Sequence, residues 1–341
     1  MNLVLLSGGS GKRLWPLSND VRSKQFIPFL KTENGYETMV QRVYRQIKLV
    51  DENAEVTIAT SKAQVSSIHN QLGEDVGISI EPCRRDTFPA IALAAAYLKD
   101  VRGVGLEESV VVCPVDPYVN DDYFEALKRL GELAETEEAN LVLMGIEPTY
   151  PSEKYGYIIP TSTQSVSDVS VFKEKPTEEI AKVYIAKCEL LNGGVFEFLL
   201  GHVLGRAHEL IDFTDYADLF DKYETLEKIS FDYAVVEHEK NIKVMRFSGA
   251  WNDLGTWNAL TEIMEGNTIG EAIFDETTEN TFVINEMNVP ILCMGTKNIV
   301  VSASAEGILV SDIEQADRIK PYVDQIDQQI IARKFDFGNK I

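Results

Sequence analysis

Residues 2–16, NLVLLSGGSGKRLWP, decide how the rest of the chain is read. Leu3, Val4, Leu5 and Leu6 form a continuous apolar run, and Gly8, Gly9 and Gly11 then crowd one turn. An apolar run of this length stopped by turn residues reads as a buried strand. Glycine loses more backbone entropy on folding than any other residue, so three in one turn need a reason. Backbone N–H groups in such a loop can line an anion concavity, and Lys12 and Arg13 follow at once. The plainer alternative is a tight turn with two solvated cations.

Two phosphate-binding patterns fail here. A P-loop needs GxxxxGK followed by Ser or Thr; Arg13 occupies that last position and Leu6 stands where the leading glycine belongs. A dinucleotide GxGxxG gets Gly9 and Gly11 but meets Leu14 in place of its third glycine. Pro16 also pushes Trp15 out of helical conformation, so no long helix starts beneath the loop. A third cation, Lys24, follows in RSKQFIPF. Together Lys12, Arg13 and Lys24 make a local positive site of the kind a triphosphate requires.

Outward from the loop, strands and helices alternate. EVTIATS, SVVVCPVD and NLVLMGI read as strands; ETMVQRVYRQI, AIALAAAYLKDV and YFEALKRLGELAE read as helices. Met39, Val40, Val43 and Ile47 fall on one face of the first helix. Continuous apolar strands between helices predict a parallel sheet covered on both faces, with ligands beyond the strands' carboxyl ends. The glycine loop and Asp116 both stand where strands stop. From about Glu271 the texture changes to short β-type runs (TFVINE, VPILCMG, NIVVSAS, GILVSD), closed by a helical stretch from about Gln315 to Ala332. The expected division is therefore 1–268 and 269–341.

The 341 residues carry 32 Lys and Arg against 54 Asp and Glu, a net charge of −22. That field disfavours nucleic acid. No apolar run approaches the ~20 residues that span a bilayer, and no basic-then-apolar leader precedes the first strand. The four cysteines (Cys83, Cys113, Cys188, Cys293) are widely spaced and read as reduced, mostly buried thiols of a cytoplasmic protein.

SGGSGKRLWPLS with KQF resembles the signature of the sugar-phosphate nucleotidyltransferases, and specifically the mannose-1-phosphate guanylyltransferases. EPCRRDTFPAIALAA, PVDPYV, GIEPTYPSEKYGYI, FKEKP, LLNGGVF, FDYAVVE, WNDLGTW and NIVVSASAEGILVSD follow in the family's order across nearly the whole chain. The resemblance is to the short, monofunctional type, without an appended isomerase domain. It implies an α/β fold: a Rossmann-like catalytic domain with a mostly parallel mixed sheet, and a small C-terminal β domain of left-handed β-helix type. It also implies a reaction in which a sugar 1-phosphate and a nucleoside triphosphate give a nucleotide-sugar and pyrophosphate.

The resemblance assigns roles as well. It puts Leu6, Gly8, Gly9, Ser10, Gly11, Lys12, Arg13, Lys24, Glu81, Arg85 and Thr87 on the nucleotide, GTP, with Arg13 and Lys24 acting on the phosphates. Glu81 can accept two hydrogen bonds from one edge of guanine; read alone, it can also end a strand in solvent. Asp116 and Asp253 are paired on one Mg²⁺ and, with Arg13 and Lys24, form the catalytic set. An Asp after a strand, read alone, is more often a turn or cap residue. Gly156, Glu174, Lys175 and Asn192 fall on the hexose 1-phosphate, although FKEKP alone reads as an exposed strand end. A homodimer is allowed. The chain departs from the family's usual pattern at Asp86, where Asn is usual, and at Phe88, where a small residue is usual. It departs again at LLNGG, where WNSG is usual.

Overall fold

The computed structural model describes residues 1–9, 12–19, 21–137, 139–148, 155–186 and 189–338. The chain divides into two compact units, Met1–Gly8 with Val43–Trp251 and Gly9–Arg42 with Asn252–Ile341. The segment Gly9–Arg42 thus groups with the C-terminal residues and not with the strands that precede and follow it in sequence.

The first unit is built on a nine-stranded sheet. Its strands are β1 (Asn2–Leu6), β2 (Glu55–Ser61), β3 (Gly77–Glu81), β4 (Ser109–Pro114) and β5 (Leu141–Ile146). They continue with β6 (Tyr157–Pro160), β7 (Val166–Lys173), β8 (Leu190–Leu199) and β9 (Ile242–Phe247). The spatial order is β3-β2-β1-β4-β8-β5-β9-β7-β6. The first four strands are all parallel, as their continuous apolar runs predict. Beyond them parallel pairing survives only between β5 and β9; β8 runs antiparallel to both β4 and β5. The sheet is therefore mixed, with a parallel half and a largely antiparallel half.

The helix Thr87–Asp100 covers the parallel half. Its alanines keep the backbone close to the strands, and Phe88 to Ala96 and Leu98 are all buried. YFEALKRLGELAE does not form one helix: Asp121–Leu130 ends at Gly131, and a short turn of helix, Leu133–Glu137, follows. The helix Met39–Val50 buries the four apolar residues that periodicity places on one face.

In the second unit the short strands alternate between two parallel ladders. One stacks β10 (Thr268–Ile269), β12 (Glu279–Asn285) and β14 (Lys297–Ser304); the other stacks β11 (Ala272–Phe274) and β13 (Ile291–Cys293). Val283, Cys293 and Val301 meet between them. β15 (Gly307–Asp312) closes the larger ladder antiparallel to β14. The segment Gly9–Arg42 is docked within this unit. The ring of Trp15 lies against Gly307, where a Cβ would come within 2.6 Å of it. The buried Ser304 hydroxyl donates to the Pro16 carbonyl at 2.7 Å. The terminal helix, Lys320–Gly338, begins after a turn of tighter helix at Ile313–Arg318.

Candidate functional site

Three parallel strands of the first unit, β1, β3 and β4, deliver four of the predicted residues to one edge. Leu6 ends β1 and Gly8 follows it, Glu81 ends β3, and Asp116 stands just after the end of β4. This is the carboxyl edge of the parallel half, where open α/β sheets place their ligands. Glu81 is not a solvated strand end: it is 7% exposed. One oxygen accepts from the Tyr223 hydroxyl at 2.9 Å, and the other lies beside Gly8. Burial pushes the Glu81 carboxyl up, opposed by the Tyr223 hydrogen bond and then by the charge of Arg84.

The residues after Glu81 build a helix entry. Asp86 combines a φ of 70° with a ψ of −175°, a strained backbone position nearly confined to glycine. Its carboxylate caps the helix by accepting from the Thr87 N–H at 2.9 Å. The exchange of the family's usual Asn for Asp thus keeps the cap. Thr87 Oγ1 accepts from the Phe231 N–H at 2.8 Å, and Arg85 donates to the Glu224 carbonyl. Both side chains are engaged within the protein. Phe88 is buried in the core.

The four predicted sugar-side residues come together. Tyr157 pairs with Lys173 on one side and with Leu191 on the other, both antiparallel. One step further along the ladder stand Gly156, Glu174 and Asn192, side by side on three strand ends. The Asn192 N–H donates to the Gly156 carbonyl at 2.8 Å. A Cβ at Gly156 would lie 2.6 Å from Glu174 Oε2 and 2.8 Å from the Phe172 ring, so only glycine fits against this carboxylate. Glu174 is buried, and Lys175 Nζ bonds its Oε1 at 2.7 Å. Lys175 has a φ of 43°, a strained position for lysine that holds its side chain at the strand end. Asn192 donates to Asp232 Oδ1 at 2.6 Å and accepts from the Gly194 N–H at 3.0 Å. Gly194 needs its freedom, with φ at 72°, and the ladder with β5 is bulged here. Burial, and then the charge of Glu174, push the Asp232 carboxyl up to about 6.

In the second unit, Gly9 and Arg13 are exposed and Lys24 is half-buried in a short turn, Lys24–Phe26. Lys12 is engaged: its ammonium lies 2.9 Å from Asp324 and 2.8 Å from Asp327 of the terminal helix. Ser10 and Gly11 lie outside the described residues, as does the side chain of Asp253, whose backbone ends the strand Trp251–Asp253.

A sequence profile of the nucleotidyl transferase family matches residues 2–268. The chain belongs to that family. The nucleotidyl transferase is 30% identical over 350 residues to the xanthan biosynthesis protein XanB of Xanthomonas campestris pv. campestris, covering 95% of this chain and 72% of that one. It is also 30% identical to the mannose-1-phosphate guanylyltransferase of Escherichia coli K12, over 95% of this chain and 73% of that protein. Among solved structures, it superposes on mannose-1-phosphate geranyltransferase from Thermus thermophilus with a TM-score of 0.78. That match has 27% identity and covers 96% and 98% of the two chains.

Sequence reasoning missed Tyr223 and Asp232 in this nucleotidyl transferase. Asp232 sits inside FDYAVVE, and only its closeness to Asn192 marks it. Cys83, Cys113 and Cys293 are free thiols, and burial pushes that of Cys113 up to about 12, so it is inert; Cys188 lies outside the described residues. Among the described residues no three metal-ligating side chains cluster. Asp116, a half-buried hard oxygen donor at a strand end, suits an ion held by one or two carboxylates and completed by substrate phosphates. No helix of the described residues is long and apolar enough to cross a membrane.

Proposed function

We propose that this nucleotidyl transferase transfers GMP from GTP to mannose 1-phosphate, giving GDP-mannose and pyrophosphate. The observation that carries the reading is the closed rung of Gly156, Glu174 and Asn192, with Lys175 at its end. One buried carboxylate and one amide receive sugar hydroxyls, and the neighbouring ammonium receives the 1-phosphate. The relatives' names, at 30% identity over most of both chains, support mannose as the sugar and guanine as the base.

A phosphate oxygen of the sugar attacks the α-phosphorus of GTP, the bond from that phosphorus to the bridging oxygen breaks, and pyrophosphate leaves. No covalent enzyme intermediate is needed, so the protein positions the groups and neutralises charge. On this reading Gly8, Gly9, Ser10 and Gly11 offer N–H groups to the triphosphate, with Arg13 and Lys24 as cations. Glu81, steadied by Tyr223, accepts from guanine; Arg85 and Thr87 hold the walls that carry it. Asp116 and Asp253 are the residues that would hold Mg²⁺, which when bound supplies charge neutralisation on the phosphates. Residues 1–268 are taken as the catalytic part, in line with the family match, and the two ladders after it as coils of left-handed β-helix type. A cytoplasmic setting suits the free thiols.

The test is a pyrophosphate-release assay over a matrix of nucleoside triphosphates and hexose 1-phosphates, with and without EDTA. GTP with mannose 1-phosphate is expected to give the highest kcat/KM. A preference for UTP or CTP overturns the guanine assignment, and one for glucose 1-phosphate overturns the sugar.

A further inference from the structure

Lys12 is the first side chain after the glycine turn, and it faces two carboxylates on successive turns of the terminal helix. Asp324 and Asp327 stand three apart, so they share one helix face. Together they bracket the ammonium at 2.9 and 2.8 Å. Both hydrogen bonds, that to Asp327 first, hold the lysine well above its usual range, so it is charged and committed. One cation against two carboxylates leaves a local charge of −1 beside a loop read as a triphosphate cradle.

The segment does not need this contact in order to dock. Trp15 against Gly307, the Ser304–Pro16 hydrogen bond and the two-pronged ion pair of Arg22 with Glu286 at 2.8 Å already fix it. These ties are packed, buried or bidentate. The Lys12 contact is solvent-accessible on the helix side: each aspartate is 46% exposed and the lysine side chain 21%. Phosphate oxygens are acceptors of the same charge as the two half-exposed carboxylates, so the ammonium can exchange one set for the other and the aspartates return to water.

We propose that the triphosphate and the terminal helix compete for Lys12, so that Asp324 and Asp327 set nucleotide affinity. This rests on the reading of the glycine loop as the triphosphate site. In the free protein the helix holds the ammonium and presents negative charge. When the triphosphate arrives, Lys12 turns to the phosphates and the aspartates are released to water. The terminal helix then acts as a brake that weakens nucleotide binding without touching the sugar side.

The test is calorimetric titration of GTP with Mg²⁺ into the whole chain and into the double variant Asp324→Asn, Asp327→Asn. The variant is expected to bind GTP about three- to tenfold more tightly, and the gain is expected to vanish when Lys12→Ala is added. In the wild-type protein, hydrogen exchange of the terminal-helix amides is expected to quicken when GTP is added. Equal or weaker GTP binding by a folded double variant, or a helix that becomes more protected, overturns the competition. If wild-type protein does not bind GTP, or Arg13→Ala leaves its affinity unchanged, the triphosphate reading of the loop falls, and the competition falls with it.

Discussion

Lys175 and Lys12 carry the same expectation, a phosphate contact, and both are ion-paired, but to different extents and in different settings. Lys175 meets one carboxylate, Glu174, itself fixed against Gly156, and its side chain remains 51% exposed. Lys12 meets two carboxylates on a separate helix. In the sugar cluster the backbone ladder brings the groups together before any ligand arrives. In the glycine segment the side-chain cation is answered by two carboxylates, where Lys175 is answered by one. A basic residue in a motif therefore shows what could bind phosphate, while its neighbours decide whether its charge is free to do so.

The comparison breaks most sharply at Gly156. Alanine there would force the Glu174 carboxylate or the Phe172 ring to move, because the new methyl would lie 2.6 Å and 2.8 Å from them. Misplacing a positioning group by about 1 Å can cost ~100-fold. The KM for the sugar 1-phosphate is expected to rise by about that factor, with GTP affinity unchanged by calorimetry. An unchanged KM would mean that the rung is not preassembled for the sugar.

Replacing the two lysines in parallel sharpens the contrast. A charge-assisted hydrogen bond is worth about 1.5–3 kcal/mol, so Lys175→Ala is expected to weaken sugar 1-phosphate use roughly ten- to a hundredfold. Lys12→Ala removes a cation that two aspartates already neutralise, and GTP affinity is expected to fall by no more than about fivefold. Equal losses for the two variants would erase the distinction drawn between the two regions.

The parallel half of the sheet is legible in the sequence because buried parallel strands are continuous apolar runs. NLVLL, EVTIATS and SVVVCP all form strands, and Glu81 and Asp116 are found where such strands end. The antiparallel half is harder to read. β8 carries Asn192, Gly193 and Gly194 near its start, and the bulge they create interrupts any regular alternation. Gly156, Glu174, Lys175 and Asn192 can be picked out by their motifs, but the rung that unites them depends on register between strands far apart in sequence. Tyr223 and the Asp324–Asp327 pair carry no local signature, since their meaning lies in a partner 142 or 312 and 315 positions away.

A smaller effect is expected at Tyr223. Tyr223→Phe strips the hydroxyl from buried Glu81, leaving a polar group unsatisfied at about 1–3 kcal/mol. Because that hydrogen bond holds the Glu81 carboxyl down, its loss lets burial push it further up. A lower melting temperature and a reduced ratio of kcat/KM for GTP over ATP are the expected results. A lower melting temperature with the ratio intact would detach Glu81 from base reading.

The smallest effect concerns pH and the closure of the sugar cluster. Burial and the neighbouring Glu174 raise the Asp232 carboxyl from 3.8 to about 6, while the Asn192 hydrogen bond and Lys175 act the other way. A carboxyl raised on folding binds more protons in the native state, so its contribution to stability is fully present below the unfolded value and is lost as pH climbs towards 6. Asparagine at 232 does not titrate, and its amide oxygen can still accept from Asn192. Thermal melts of wild type and Asp232→Asn at pH 4.5 and pH 7 read this directly. The gap is expected to move in the variant's favour at the higher pH, because only the wild type must then keep a charge beside Glu174. A gap independent of pH would show Asp232 to be as solvated as an ordinary surface aspartate, and the cluster around Asn192 would then be open to water before any ligand arrives.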